Sequence, residues 1–215
     1  MYDYIDSYCE RVAPGLLGEP LNAVTNVAFM IAAVWLWQLA RRHDRDRSWM
    51  LRTLLVLLFA TGVCSLIFHT FANVIGVTLD TLALTLCLLA AILFSARVWL
   101  HQRWWLATLW PVGMIVAAFV LGSVVPVEGA AYLGPFVTGG LLAVLLLRRG
   151  HPAGRDIAIA IACFVPSFLF RTLDAPVCEA FPSGTHFLWH ILNACVLGFA
   201  IRPFARLNPR RLASR

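Results

Sequence analysis

The chain reads as an all-α integral membrane protein, a bundle of seven transmembrane helices with its N-terminus outside and its C-terminus cytoplasmic. Three observations predict this. Hydrophobic residues make up 60% of the 215 and charged residues only 13%, and the mean hydropathy of +0.79 lies far above that of a soluble domain. Apolar stretches near 20–40, 50–71, 77–98, 104–124, 130–147, 156–173 and 184–203 are each long enough for roughly 30 Å of hydrocarbon. All seventeen basic residues are Arg, and most fall in alternate connections.

The leading residues are acidic and lack the basic run of a cleavable leader, so the first span, opening at Pro20, is expected to act as the insertion signal. Arg41, Arg42, Arg45 and Arg47 follow it. The second span carries Ser65 and His69, and the third begins close to Asp80 and ends at Arg97 and Arg103. Trp104 and Trp105 open the fourth as an interfacial anchor. Gly134, Pro135, Gly139 and Gly140 loosen the fifth; lacking the strand, Lys and helix of a phosphate loop, these glycines point to close helix packing. Arg148, Arg149 and Arg155 follow, and Pro166 is expected to kink the sixth span. The seventh opens on His186 and His190, and a tail over 204–215 continues the basic series of Arg202, Arg206, Arg210, Arg211 and Arg215.

The N-terminal segment and the remaining connections hold only Arg11 and Arg171, against Asp3, Asp6, Glu10, Glu19, Glu128, Asp174 and Glu179. The Arg-rich side should face the cytoplasm. That asymmetry accounts for the pI near 9.4, so the basic character indicates anionic lipid rather than nucleic acid. One domain, 1–215, accommodates the pattern, with no internal repeat and no obligate protein partner evident. Short loops without retrieval signals point to a bacterial inner membrane, with endoplasmic reticulum or Golgi as the alternative.

Ionisable groups within lipid are expensive and mark function. Four stand out: His69, Asp80, His186 and His190. His186 and His190 are one turn apart, about 40° around one helical face, so both imidazoles can reach one ion if a third ligand arrives from a neighbour. Span directions place all four in the outer half. Three neutral imidazoles with an open fourth position resemble catalytic zinc, whose bound water becomes a nucleophile near neutral pH while the ion polarises a carbonyl. Ser65, one turn before His69, could donate to a developing oxyanion. Asp80 could act as general base and acid, or orient a histidine.

Cys9 with Glu10, Glu19-Pro-Leu-Asn22-Ala-Val-Thr-Asn26, Ser65-Leu-Ile-Phe-His69, Asp80 and His186-Phe-Leu-Trp-His190 together resemble the alkaline ceramidase family over residues 7 to 200. That family belongs to a wider group of seven-helix membrane hydrolases that includes the adiponectin receptors. The resemblance implies a zinc site of Ser65, His69, His186, His190 and Asp80, and hydrolysis of the amide of ceramide or a related N-acyl lipid to fatty acid and long-chain amine. It also implies a possible calcium site, with Ser7, Tyr8, Glu10, Val12 and Glu19 at the corresponding positions. Glu10 and Glu19 read equally as surface acids, Glu19 favourably at a helix N-terminus. Asn22 and Asn26 are expected to bond to neighbouring helices. Cys9 and Cys178 lie in outer segments and could form a disulfide, whereas Cys64, Cys87, Cys163 and Cys195 lie within spans.

The alternative function is a non-hydrolytic zinc-containing receptor or sensor, against which Ser65 and Asp80 argue. His186 and His190 face one way and cannot clamp a haem from both sides. A retinal protein is excluded, because the chain has no Lys. His43, His101 and His151, in Arg-bearing loops, read as solvent-facing.

Overall fold

The computed structural model describes residues 3–208, so Arg210, Arg211 and Arg215 of the expected tail lie outside the described residues. Seven helices are long and apolar enough to cross a membrane: α1 (Pro20–Arg42), α2 (Trp49–Phe71), α3 (Val74–Trp99), α4 (Trp104–Val124), α5 (Ala130–Arg148), α6 (Ala153–Leu173) and α7 (His186–Arg206). They identify a multi-pass integral membrane protein. Among the described residues there is no strand, only a single antiparallel bridge between Tyr4 and Asn73.

The helices follow one another round a ring, each packed on the next, with α7 closing it against α1. α7 also touches α2 and α3, which makes it the most buried span and places its first two turns inside the bundle. α4 is the least buried. Its exposed Val112, Ile115, Val116 and Phe119 form an apolar surface suited to lipid, where no polar partner is required.

Local chemistry explains the departures from straight helix. α1 breaks at Asn26, between Pro20–Thr25 and Val27–Arg42. There Gly62 of α2 lets the chains meet: a Cβ would fall 2.8 Å from the Asn26 carbonyl oxygen. Gly134 does the same between α5 and α4, where a Cβ would lie 2.5 Å from Ala118 N. Close packing is thus the use of that glycine, and helix runs unbroken over Leu133–Arg148 despite it. α6 is likewise continuous through Pro166, which removes one hydrogen bond without ending the helix.

The connections sort into two ends. At one end the N-terminal segment lies across the loops: Ile5 N–H donates to Ala72 O at 2.8 Å and Gly15 N–H to Thr70 O at 2.7 Å. A disulfide joins Cys9 to Cys178 with Cα atoms 5.2 Å apart. Ala72, buried and at φ 50°, ends α2 in the left-handed region. At the far end sit the Arg-bearing loops. Trp99 packs on Phe204 and His151, and the Arg97 guanidinium lies 5.4 Å over Trp104. His43 and His101 are exposed there, but His151 is half-buried and its Nδ1 accepts from Ala153 N–H at 3.2 Å. Solvent exposure was expected for all three; contact with Trp99 overrides it for His151.

Candidate metal centre

Two helices deliver the three histidines to one point. His69 lies in the last turn of α2, and His186 and His190 lie in the first two turns of α7. All three are buried. A ligand nitrogen from each lies within 4.8 Å of the others, the one such group of three found among the described residues. The arrangement can hold a metal ion.

The unused nitrogens say how well a metal would fit. His69 Nδ1 is held by a Glu19 carboxylate oxygen, and its Nε2 is buried with no hydrogen-bond partner. His190 Nδ1 pairs with the Thr25 hydroxyl at 3.0 Å, which turns its other nitrogen away from Thr25. His186 Nδ1 is buried and unpaired. Buried nitrogens without partners cost free energy unless something binds them, and metal-ligating histidines commonly anchor their second nitrogen on an oxygen in this way. The donor set therefore fits an ion. The identity of that ion is a separate matter, taken up below.

Glu19 is a centre of its own. Its side chain is fully buried, with one oxygen on the guanidinium of Arg11, equally buried, and the other on His69. Asn22 Nδ2 adds a hydrogen bond at 3.1 Å. Glu10 accepts from the backbone N–H groups of Leu21 and Asn22 at 2.7 and 2.8 Å, capping α1. Glu19 stands at the N-terminus of α1 as expected, but it is buried rather than a surface acid; the helix's free N–H groups are met by Glu10, and both carboxylates are engaged by protein groups. They join no group of three metal-holding side chains among the described residues, and the cation beside Glu19 is Arg11. Asn22 and Asn26 also differ from expectation, since Asn26 donates to the Asn22 carbonyl in its own helix at 2.8 Å rather than to a neighbour.

Asp80, half-buried in the second turn of α3, is hydrogen-bonded to the buried Ser65 of α2 and stays outside the three-histidine group. Tyr8 stacks on His186 at 3.7 Å between ring centroids and lies within electrostatic reach of Asp80. Burial pushes its phenol up, so it stays a neutral O–H across the physiological range. Asp174 accepts from the backbone N–H of Cys9 at 3.0 Å, Thr185 at 2.7 Å and His186 at 2.9 Å. One carboxylate thus caps α7 and fixes the N-terminal segment to it. Gly184, at φ 60°, is required in this corner: a Cβ would meet Cys9 Cβ at 2.7 Å.

Sequence reasoning missed Arg11, Thr25, Asp174 and the stacking role of Tyr8. The one available signal was that Arg11 and Arg171 are the basic residues that break the charge asymmetry at this end. Within the bundle lies an apolar cavity, with Tyr132, Trp189, Leu88, Phe136, Ile161 and Leu197 among its lining. Trp189 immediately precedes His190 in α7, so the helix that carries two of the histidines also forms part of the cavity wall.

No family model matches this chain, and a comparison with curated proteins finds no match. The functional reading therefore rests on the site.

Proposed function

We propose that the chain is a zinc-dependent amidohydrolase of the alkaline ceramidase type, cleaving the amide of ceramide or a related N-acyl lipid within the membrane. The observation that carries this reading is the buried three-histidine group, with unpaired nitrogens on His69 and His186, on the same bundle as the Ser65–Asp80 pair and an apolar cavity walled in part by Trp189. Three imidazoles without a thiolate or a carboxylate among them suit zinc in a site that keeps one position open. Zinc bound there supplies a Lewis acid for the amide carbonyl and makes water nucleophilic near neutral pH.

The chain's own residues do the rest. Glu19 holds His69 with Nδ1 protonated and Nε2 free to bind, and Thr25 orients His190. Asp80 accepts the proton as water adds to the amide carbon, then returns it to the departing amine. Ser65 donates to the Asp80 carboxylate and keeps it in place; once Asp80 holds the proton, that hydroxyl is free to donate to the oxygen that gains charge. The cavity takes the acyl chain, which enters sideways from lipid between helices and leaves the amide at the depth of the histidines. The Arg-poor end then faces outward by the positive-inside rule, and a bacterial inner membrane is the setting we assign, with endoplasmic reticulum or Golgi the alternative.

The test is elemental analysis of detergent-purified protein together with fatty-acid release from a fluorescent ceramide, with and without chelator. About one zinc per chain, on a three-ligand site, and chelator-sensitive release are expected. Zinc without release from any N-acyl lipid would favour the receptor or sensor alternative, and absence of zinc would overturn the reading.

A further inference from the structure

Arg171 has no part in the mechanism above, yet it stands at its edge. It lies in the last turn of α6, with a side chain only 12% exposed. Its guanidinium sits 5.3 Å over the ring of Tyr132 and 5.9 Å over that of Trp189, two residues that line the cavity next to the histidines. Gly129 backs it so closely that a Cβ there would lie 3.0 Å from Nη1. The charge is within electrostatic reach of Asp80, Tyr8, His186 and His190. Its carboxylate partner is Glu128, 3.3 Å away and 68% exposed.

Such a placement is unusual for an arginine near the end of a span. A guanidinium at the interface ordinarily extends toward water and headgroups. This one packs against a pair of aromatic rings, Tyr132 and Trp189, whose centroids are 5.1 Å apart and whose quadrupoles hold it while leaving hydrogen-bonding edges available. Glu128, largely in water, neutralises it weakly. The result is a fixed, poorly solvated positive charge at the junction of the chain-binding cavity and the reacting centre. A ceramide head is neutral and offers it hydroxyl acceptors but no charge.

We infer that Arg171 is an anion subsite, and that the substrates best suited to this chain are N-acyl lipids whose head carries a carboxylate or phosphate beside the scissile amide. The inference rests on the hydrolase reading and narrows its substrate class. Planar N–H donors matching the two oxygens of a carboxylate are what such a head requires. Tyr132, hydrogen-bonded to Arg171, holds the guanidinium in place.

The experiment compares turnover of N-palmitoylglycine with that of N-palmitoylethanolamine, which shares the chain and amide but lacks the charge. For the zinc-loaded protein, kcat/KM should favour the anionic lipid by about tenfold or more, the weight of one charge-assisted hydrogen bond. Arg171→Gln should bring that ratio to within about twofold of unity, while Glu128→Gln, which removes the competing carboxylate from an exposed position, should raise it. Because each ratio is taken within one preparation, partial misfolding of a variant does not alter it. A ratio near one in the unmodified protein, an equal loss on both lipids in Arg171→Gln, or a fall in Glu128→Gln would overturn the inference. So would unchanged head preference accompanied by relief of palmitate inhibition, which would make the bound anion the released fatty acid. Hexadecyl phosphate has no amide to cleave and separates the two readings. If it stabilises the protein thermally, but not Arg171→Gln, while no amide is hydrolysed, the anion subsite stands and the hydrolase reading fails.

Discussion

Each end of this bundle buries one carboxylate between two basic groups, and the two devices do different work. At the far end Asp156 accepts from Arg206 at 2.9 Å and pairs with Arg202 at 3.4 Å, tying α6 to α7; both arginines remain 29% exposed. At the other end Glu19 lies between Arg11 and His69 with both partners as buried as itself. The far-end network touches water and ends in the fold. The Glu19 network ends in an imidazole that belongs to the three-histidine group, so under the proposed function its charge bears on the chemistry. Residue types that a sequence shows as equivalent ion pairs thus differ by what their last member does.

The comparison can be broken at several points. The strongest is the imidazole end: His69→Ala, His186→Ala and His190→Ala should each abolish metal retention and turnover, since two remaining nitrogens do not hold zinc in this geometry. Stoichiometric zinc in any of the three, measured by elemental analysis, would remove that histidine from the centre. Next, Asp80→Asn should keep most of the metal and slow turnover by about 10²–10⁴, the usual share of a general acid-base group; undiminished kcat would exclude Asp80 from proton transfer. Glu19→Gln should weaken metal affinity by about 10–100-fold, read by competition with a chromophoric chelator, because the partner of His69 then no longer carries charge. The sharpest contrast is Asp156→Ala. Losing the carboxylate that ties α6 to α7, with two partly exposed arginines left behind, should cost about 1–3 kcal/mol of stability, seen as a lower unfolding midpoint, with metal affinity unmoved. If Asp156→Ala weakened metal binding as much as Glu19→Gln does, the distinction between the two ends would fail.

The seven spans were legible because hydropathy over about twenty residues is a local property; their ends fall within a few residues of those expected. The histidine group was legible for a related reason, as polar residues one turn apart in an apolar run have few other uses. Neither clue reaches the N-terminal segment. Residues 3–19 have no periodicity, and their meaning comes from folding back across the loops, so Arg11 and Glu19 looked like surface charges until the chain was seen to cover the site. Asp156 was overlooked differently, since it sits where the apolar run begins and its partners lie some fifty residues on.

The bond between Cys9 and Cys178 spans 169 positions and encloses six of the seven helices together with the connection leading into α7. Covalently, the protein is a ring with a short N-terminal tail and a longer C-terminal one that carries α7. A single peptide-bond cut in any intervening loop would yield two fragments that still migrate as one under non-reducing conditions and part on reduction. The bundle can therefore be opened at an Arg-rich loop while its halves remain tethered beside the three histidines.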